Sequence, residues 1–150
     1  IISSPKLLIC DEATSALDVS VQAQIIALLK RLQKDKNMAY LFITHDLLLA
    51  RNICNRIAVM YKGSVVEMGF AQDVLDHPIH PYTKLLLQCV LKPQVDKNFR
   101  FISCESLREP SETGCKFYEY CPYATKRCKK ERPQLTEQNG KFAACLNIVK

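Results

Sequence analysis

At 150 residues with 48% hydrophobic side chains, the chain can hold one ordinary domain, or part of one plus a small appendage, and is too apolar for a disordered tail. No run approaches the roughly 18 apolar residues of a membrane span. The net charge of +6 divides into +2 over residues 1–92 and +4 over residues 93–150, a surplus that suits anionic lipid or a charged cofactor as well as nucleic acid, and no nucleic-acid motif accompanies it.

The first residues, Ile1-Ile2-Ser3-Ser4-Pro5, have neither an initiator Met nor the layout of a signal peptide and read as the interior of a longer chain. Lys6–Cys10 is a short apolar run ending abruptly in Asp11-Glu12, the pattern of a parallel strand buried on both faces. Val21, Ile25, Leu28, Leu29 and Leu32 fall at helical spacing between Ser20 and Lys36, with Ser20 the expected N-cap. Ala39–Thr44 reads as a second buried strand, Asp46–Cys54 as a short helix and Arg56–Tyr61 as a third strand. This order predicts an α/β fold in which right-handed crossovers make the three strands parallel. Lys62-Gly63 turns the chain into Ser64–Met68, a strand of an edge hairpin. Ala71–Asp76 reads as a short helix, His77–Pro81 breaks it, and Pro81 opens a further helix over Tyr82–Leu91. Beyond Pro93 no regular element is predicted. A domain boundary is therefore expected at 92/93, with 58 residues beyond it that need some stabilisation other than a core.

Function in an open α/β sheet gathers at the carboxyl ends of parallel strands. Asp11-Glu12 stands there on the first strand and His45 on the second. Adjacent carboxylates can divide labour, Asp11 holding Mg²⁺ and Glu12 orienting an attacking water, while His45 can donate to a γ-phosphate. The run L-L-I-C-D-E-A-T-S-A-L-D (Leu7–Asp18) resembles the Walker B and D-loop segment of ABC ATPases. I-T-H-D (Ile43–Asp46), 33 residues beyond Glu12 at His45, resembles their switch-histidine loop. The resemblance implies a P-loop NTPase fold and ATP with Mg²⁺ as cofactors. It makes Asp11 the magnesium aspartate, Glu12 the catalytic glutamate, His45 the switch histidine and Ser15–Asp18 the D-loop, with Asp18 at a dimer interface. Ala13 stands where many relatives carry proline. No G-x-x-x-x-G-K-[ST] phosphate loop, L-S-G-G-Q-like signature or glutamine loop occurs, so this stretch by itself is not expected to hydrolyse ATP.

Val19–Ile25 and His77–Leu85 (H-P-I-H-P-Y-T-K-L) resemble the ATPase subunits of peptide and nickel importers. Neither His77 nor His80 is read as a ligand, a proline-broken link between helices being the simpler account. Gly114–Cys128 with Ala143-Ala144-Cys145 resembles the cysteine-rich C-terminal extension of oligopeptide and dipeptide importer ATPases. The resemblance implies ATP-driven peptide uptake by a complex of two ATPase subunits and two transmembrane permease subunits. The complex is fed by an extracytoplasmic binding protein, with this subunit peripheral on the cytoplasmic face of the membrane and no nucleic-acid partner. A nickel importer, a non-transport ABC ATPase and a non-enzymatic metal-binding remnant of a truncated gene are the alternatives.

Eight cysteines are distributed unevenly. Cys10, Cys54 and Cys89 sit singly in apolar segments and read as buried thiols. Cys104, Cys115, Cys121, Cys128 and Cys145 crowd the last third, which without a secretory signal favours metal over disulfides. The gaps of five, six and sixteen residues between the last four lack the close pairs usual for zinc. Some members of the resembled family hold a four-iron, four-sulfur cluster here, which implies Cys115, Cys121, Cys128 and Cys145 as its ligands and Cys104 as a spare. Zinc and free thiols or disulfides stay open. Phe117, Tyr118, Tyr120 and Tyr123 could shield a cluster that acts as a staple, and Lys126, Arg127, Lys129 and Lys130 could offset its charge or simply form a solvated basic face.

Overall fold

The computed structural model describes residues 5–91, 108–109, 111–138 and 140–148. They fall into two compact units divided between Cys54 and Asn55. The boundary expected at 92/93 lies outside the described residues, as does Cys104.

The first unit contains β1 (Leu7–Asp11), α1 (Val19–Lys36), β2 (Ala39–Ile43) and α2 (Leu47–Ile53). β1 and β2 run parallel, in register from Leu7 opposite Ala39 to Asp11 opposite Ile43. The cap of α1 is Asp18 rather than the expected Ser20. Its Oδ1 accepts the backbone N–H of Ser20 at 3.0 Å and of Val21 at 2.9 Å, together with the Ser20 hydroxyl at 2.6 Å. An aspartate two residues earlier caps the first turn, so the helix starts at Val19, two residues before its apolar stripe. α1 ends on Asn37 in the left-handed conformation. Asp46 caps α2 in the same way as Asp18 caps α1.

Burial corrects one expectation. Leu7 and Ile9 are 53% and 60% exposed, and Leu41 and Ile43 are also half-exposed. β1 and β2 are thus covered on one face, where Cys10 is buried, and bare on the other, because no described element packs there.

The second unit contains β3 (Arg56–Tyr61), β4 (Ser64–Phe70), α3 (Ala71–Asp76), α4 (Pro81–Leu91), α5 (Lys126–Lys130), β5 (Thr136–Gln138) and β6 (Lys141–Ala143). Its sheet has the order β3-β4-β6-β5 and is antiparallel throughout. β3 therefore does not join β1 and β2 as a third parallel strand. Lys62 and Gly63 both take positive φ, which closes a two-residue hairpin and directs β3 to pair with its neighbour in sequence. The parallel order predicted from element alternation holds for β1 and β2 alone. Val59, Val66 and Val74 form the core, flanked by Ile57, Tyr61, Tyr82 and Leu86.

The tail is more regular than expected. β6 pairs with β4, Glu67 opposite Ala143, and the N–H of Ala144 donates to the Val66 carbonyl at 2.9 Å. Buried Lys141 donates its ammonium to the carbonyls of Asp73 and His77 at the end of α3. Phe117, 2% exposed, packs its ring edge against Tyr61 and Tyr82. The described part of the tail is held to the hairpin by strand pairing and aromatic packing.

Candidate functional site

Two groups of side chains carry chemistry, one in each unit. In the first unit the carboxyl ends of β1 and β2 bring Glu12 and His45 together, His45 Nδ1 lying 3.1 Å from Glu12 Oε1. The local backbone explains the meeting. The N–H of Glu12 donates to the Ile43 carbonyl at 2.9 Å, extending the parallel ladder by one residue. Glu12 then takes φ 44°, a left-handed conformation rare for a residue with a side chain and common where function holds the backbone under strain. Ser15 fixes the turn, donating its N–H and its hydroxyl to the Glu12 carbonyl at 3.1 and 2.9 Å. Thr14 is buried beneath it, and its hydroxyl accepts from Gln22 at 3.3 Å.

These residues line a cavity of about 110 Å³ that includes Glu12, Ser15, Gln22, Thr44 and His45. Glu12 and His45 remain more than half exposed, so a carboxylate and an imidazole within hydrogen-bond reach face open solvent. Such a pair can orient and polarise one water molecule. Asp11, at the last position of β1, has an exposed side chain and is not among the residues that line this cavity. Asp18 is committed to capping α1. Hydrogen bonds from the Ser20 hydroxyl and the Val21 N–H hold its carboxyl below the usual aspartate value.

In the second unit Cys115, Cys121, Cys128 and Cys145 line one cavity with Phe117 and His80. They arrive from separate segments: the turns before α5, α5 itself, and the strand end after β6. The N–H of Cys115 donates to the Cys128 carbonyl at 2.9 Å, and Gly114 makes that approach possible. A Cβ at position 114 would stand 2.3 Å from the Cys128 carbonyl oxygen. Burial raises the thiols of Cys115, Cys121 and Cys145, that of Cys121 to about 11. Without a bound cation, such thiols stay protonated near neutrality.

The donor set is soft and its surroundings are apolar, which suits a metal held by thiolates. A single zinc ion would draw its sulfurs to about 3.8 Å from one another, given Zn–S bonds near 2.3 Å. Among the described residues no group of three or more His, Cys, Asp or Glu side chains is arranged to hold one ion. A four-iron cluster would be held by four cysteine thiolates. The open volume is about 10 Å³, the room of one water, so the cavity as it stands has no space for a cluster. The four thiols match a soft metal in kind and share one wall, but their present arrangement does not hold one.

Of the shielding aromatics, Phe117, Tyr118 and Tyr123 line the cavity, and Tyr120 packs on Phe117. Arg127 forms a two-point pair with Glu131 at 2.6 and 2.8 Å, and Lys129 stands 3.7 Å from Glu109. Cys89, expected to be buried, is exposed on α4, because it falls outside the helix face that carries Leu87. Cys10 is buried as expected and Cys54 is half-buried.

Sequence reasoning missed Glu67. Its buried carboxylate accepts the backbone N–H of Ile79 at 2.8 Å and of His80 at 2.9 Å, fixing the His-Pro segment against β4. A single glutamate in an apolar strand gives no periodic signal, and only its burial reveals the role.

Residues 66–128 match the family described as the C-terminal region of oligopeptide/dipeptide transporters. The putative oligopeptide transport ATP-binding protein YkfD of Bacillus subtilis is 44% identical over 148 residues, covering 95% of this chain and 45% of that protein. The oligopeptide transport ATP-binding protein OppF of Escherichia coli is 40% identical over 99% of the chain and 46% of its own length. The dipeptide transport ATP-binding protein DppD of Escherichia coli is 46% identical over 94% and 44%. The chain thus spans slightly less than half the length of these relatives. Over 94–99% of its own length, the chain is similar to oligopeptide/dipeptide transport ATP-binding proteins.

Proposed function

We propose that the chain forms part of the ATP-hydrolysing subunit of a peptide importer. Asp11 is the magnesium ligand, Glu12 the residue that activates water, and His45 the contact to the γ-phosphate. The 3.1 Å approach of His45 to Glu12 at neighbouring strand ends carries this reading. The phosphate-cradling loop is supplied by residues outside this stretch, which alone lacks the backbone cradle for a triphosphate. Ser15–Asp18 faces a second ATPase subunit. Two permease subunits receive the motion, and the protein works at the cytoplasmic face of the membrane. The relatives' names favour peptides over nickel as cargo. Among the described residues no helix is long and apolar enough to cross a membrane. The division into an ATPase part, residues 1–92, and a cysteine-rich extension, residues 93–150, belongs to the same proposal.

In the full-length subunit, assembled with its partners, Glu12→Gln should retain ATP binding and slow hydrolysis by roughly 10²–10⁴-fold. His45→Ala should also lower turnover, with less effect on binding. Near wild-type hydrolysis by the Glu12→Gln protein would exclude the assigned role.

The extension is assigned a four-iron, four-sulfur cluster on Cys115, Cys121, Cys128 and Cys145. Convergence of the four thiols on one apolar cavity supports it. Cys115, Cys121, Cys128 and Cys145 would hold the cluster, which would tie their chain segments together and turn its binding energy into folding energy. Protein purified without oxygen should contain about four irons per chain. Stoichiometric zinc without iron would replace the cluster by a zinc site.

A further inference from the structure

We propose that Gln22 is a positioning residue for Glu12, holding it through the hydroxyl of Thr14 in the conformation that meets His45. The inference rests on the ATP-hydrolysing reading above and concerns a side chain to which that reading gives no role.

Glu12 holds φ 44°, a conformation that costs a residue with a side chain free energy and persists only where its surroundings enforce it. Two consecutive turns do so. The Glu12 carbonyl accepts the N–H and the hydroxyl of Ser15, and the Thr14 carbonyl accepts the N–H of Leu17 at 3.3 Å. Thr14 belongs to both turns, and its side chain is shut away from solvent. The partner of its hydroxyl is the Gln22 amide, whose Nε2 donates to it at 3.3 Å. Gln22 has a firm base for that contact. Its backbone N–H donates to the Asp18 carbonyl at 2.9 Å, and Asp18 in turn caps α1 through Ser20 and Val21. Side chains on a helix lean towards its N-terminus, so a residue in the first turn of α1 reaches back over the turns that precede it. Gln22 also lines the cavity that contains Glu12 and His45. The contacts run from α1 through Thr14 to the backbone of Glu12, whose carboxylate stands 3.1 Å from His45. Without the amide, the Thr14 hydroxyl is released and Glu12 relaxes from φ 44° towards the common regions of backbone space. A carboxylate that must orient one water loses rate when it is displaced, while the groups that hold the nucleotide are untouched.

Variants of the full-length subunit, assembled with its partners, separate this role from a merely structural one. Gln22→Met keeps length and helix preference without the amide, and Thr14→Val removes the hydroxyl that Thr14→Ser retains. The kcat and the KM for ATP are measured for each, for the Gln22→Met/Thr14→Val double variant, and for Glu12→Gln. Gln22→Met and Thr14→Val should each lower kcat roughly 10–100-fold with KM unchanged, and Thr14→Ser should stay near wild type. The double variant should lose no more than either single one, because both remove the same contact. Wild-type kcat in Gln22→Met, with hydrolysis slowed in Glu12→Gln, overturns the inference and leaves the role of Glu12 standing. A raised KM with kcat unchanged also overturns it and assigns the contact to nucleotide binding. Near wild-type hydrolysis by Glu12→Gln overturns both. Should Gln22→Met fail to fold, Thr14→Val carries the same outcomes, and a Thr14→Ser protein as slow as Thr14→Val overturns the proposal.

Discussion

The carboxylate of Glu67 on β4 accepts the backbone N–H of His80 at 2.9 Å, with both residues shut away from solvent. A second bond to Ile79 makes the carboxylate a two-point clasp on the segment that leads into α4. Hydrogen bonds to a charged group contribute about 1.5–3 kcal/mol each. Glu67→Ala should therefore destabilise the fold by about 3 kcal/mol or more. Glu67→Gln should lose roughly half of that, since one of its two positions becomes a donor facing a donor. Urea unfolding measures both. A loss below about 1 kcal/mol in the alanine variant would mean that the clasp is dispensable.

Asp18 predicts an acid response of α1. Its folded-state pKa lies below the ordinary 3.8 because the Ser20 hydroxyl and the Val21 N–H bond its charged form. The unfolded chain binds the proton first as pH falls, so the cap's contribution is complete above about pH 4 and is lost as pH drops through the depressed pKa. Helical circular dichroism should decline over that window, and Asp18→Asn, a good cap that does not titrate, should flatten the decline. An equal decline in both proteins would place the titrating group elsewhere.

The thiols should separate by reactivity in metal-free protein. Cys89 is exposed, whereas burial lifts Cys121 to about 11. At pH 8 only roughly one part in a thousand of Cys121 is thiolate, and the thiolate is the reacting species. Timed alkylation with mass spectrometry should label Cys89 early and Cys121 last among the described cysteines. Early labelling of Cys121 would show that its cavity opens readily.

Long apolar runs made most of the first 91 residues legible. K-L-L-I-C and A-Y-L-F-I-T announced β1 and β2, and the spacing from Val21 to Leu32 announced α1. Their carboxyl ends pointed to Glu12 and His45, which the structure brings within hydrogen-bond distance. Pairing partners were less legible. β3 has the same composition as a parallel strand, and only the conformation of Lys62 and Gly63 sends it into a hairpin. β5 and β6 span three residues each, too short for any period, and their pairing depends on β4 far away in sequence. The cysteine spacing suggested a common site, yet the apolar wall built by Phe117 and the clasp through Glu67 required three dimensions to appear.

The bare side of β1 and β2 has a consequence for anyone handling this stretch of chain alone. Leu7, Ile9, Leu41 and Ile43 form a flat, greasy ribbon open to solvent. Parallel strands ordinarily meet water on neither face, so in dilute buffer this ribbon will seek any similar surface, including another molecule's. Refolding yield should then fall as protein concentration rises, and the loss should track collisions between molecules rather than the intrinsic strength of the fold.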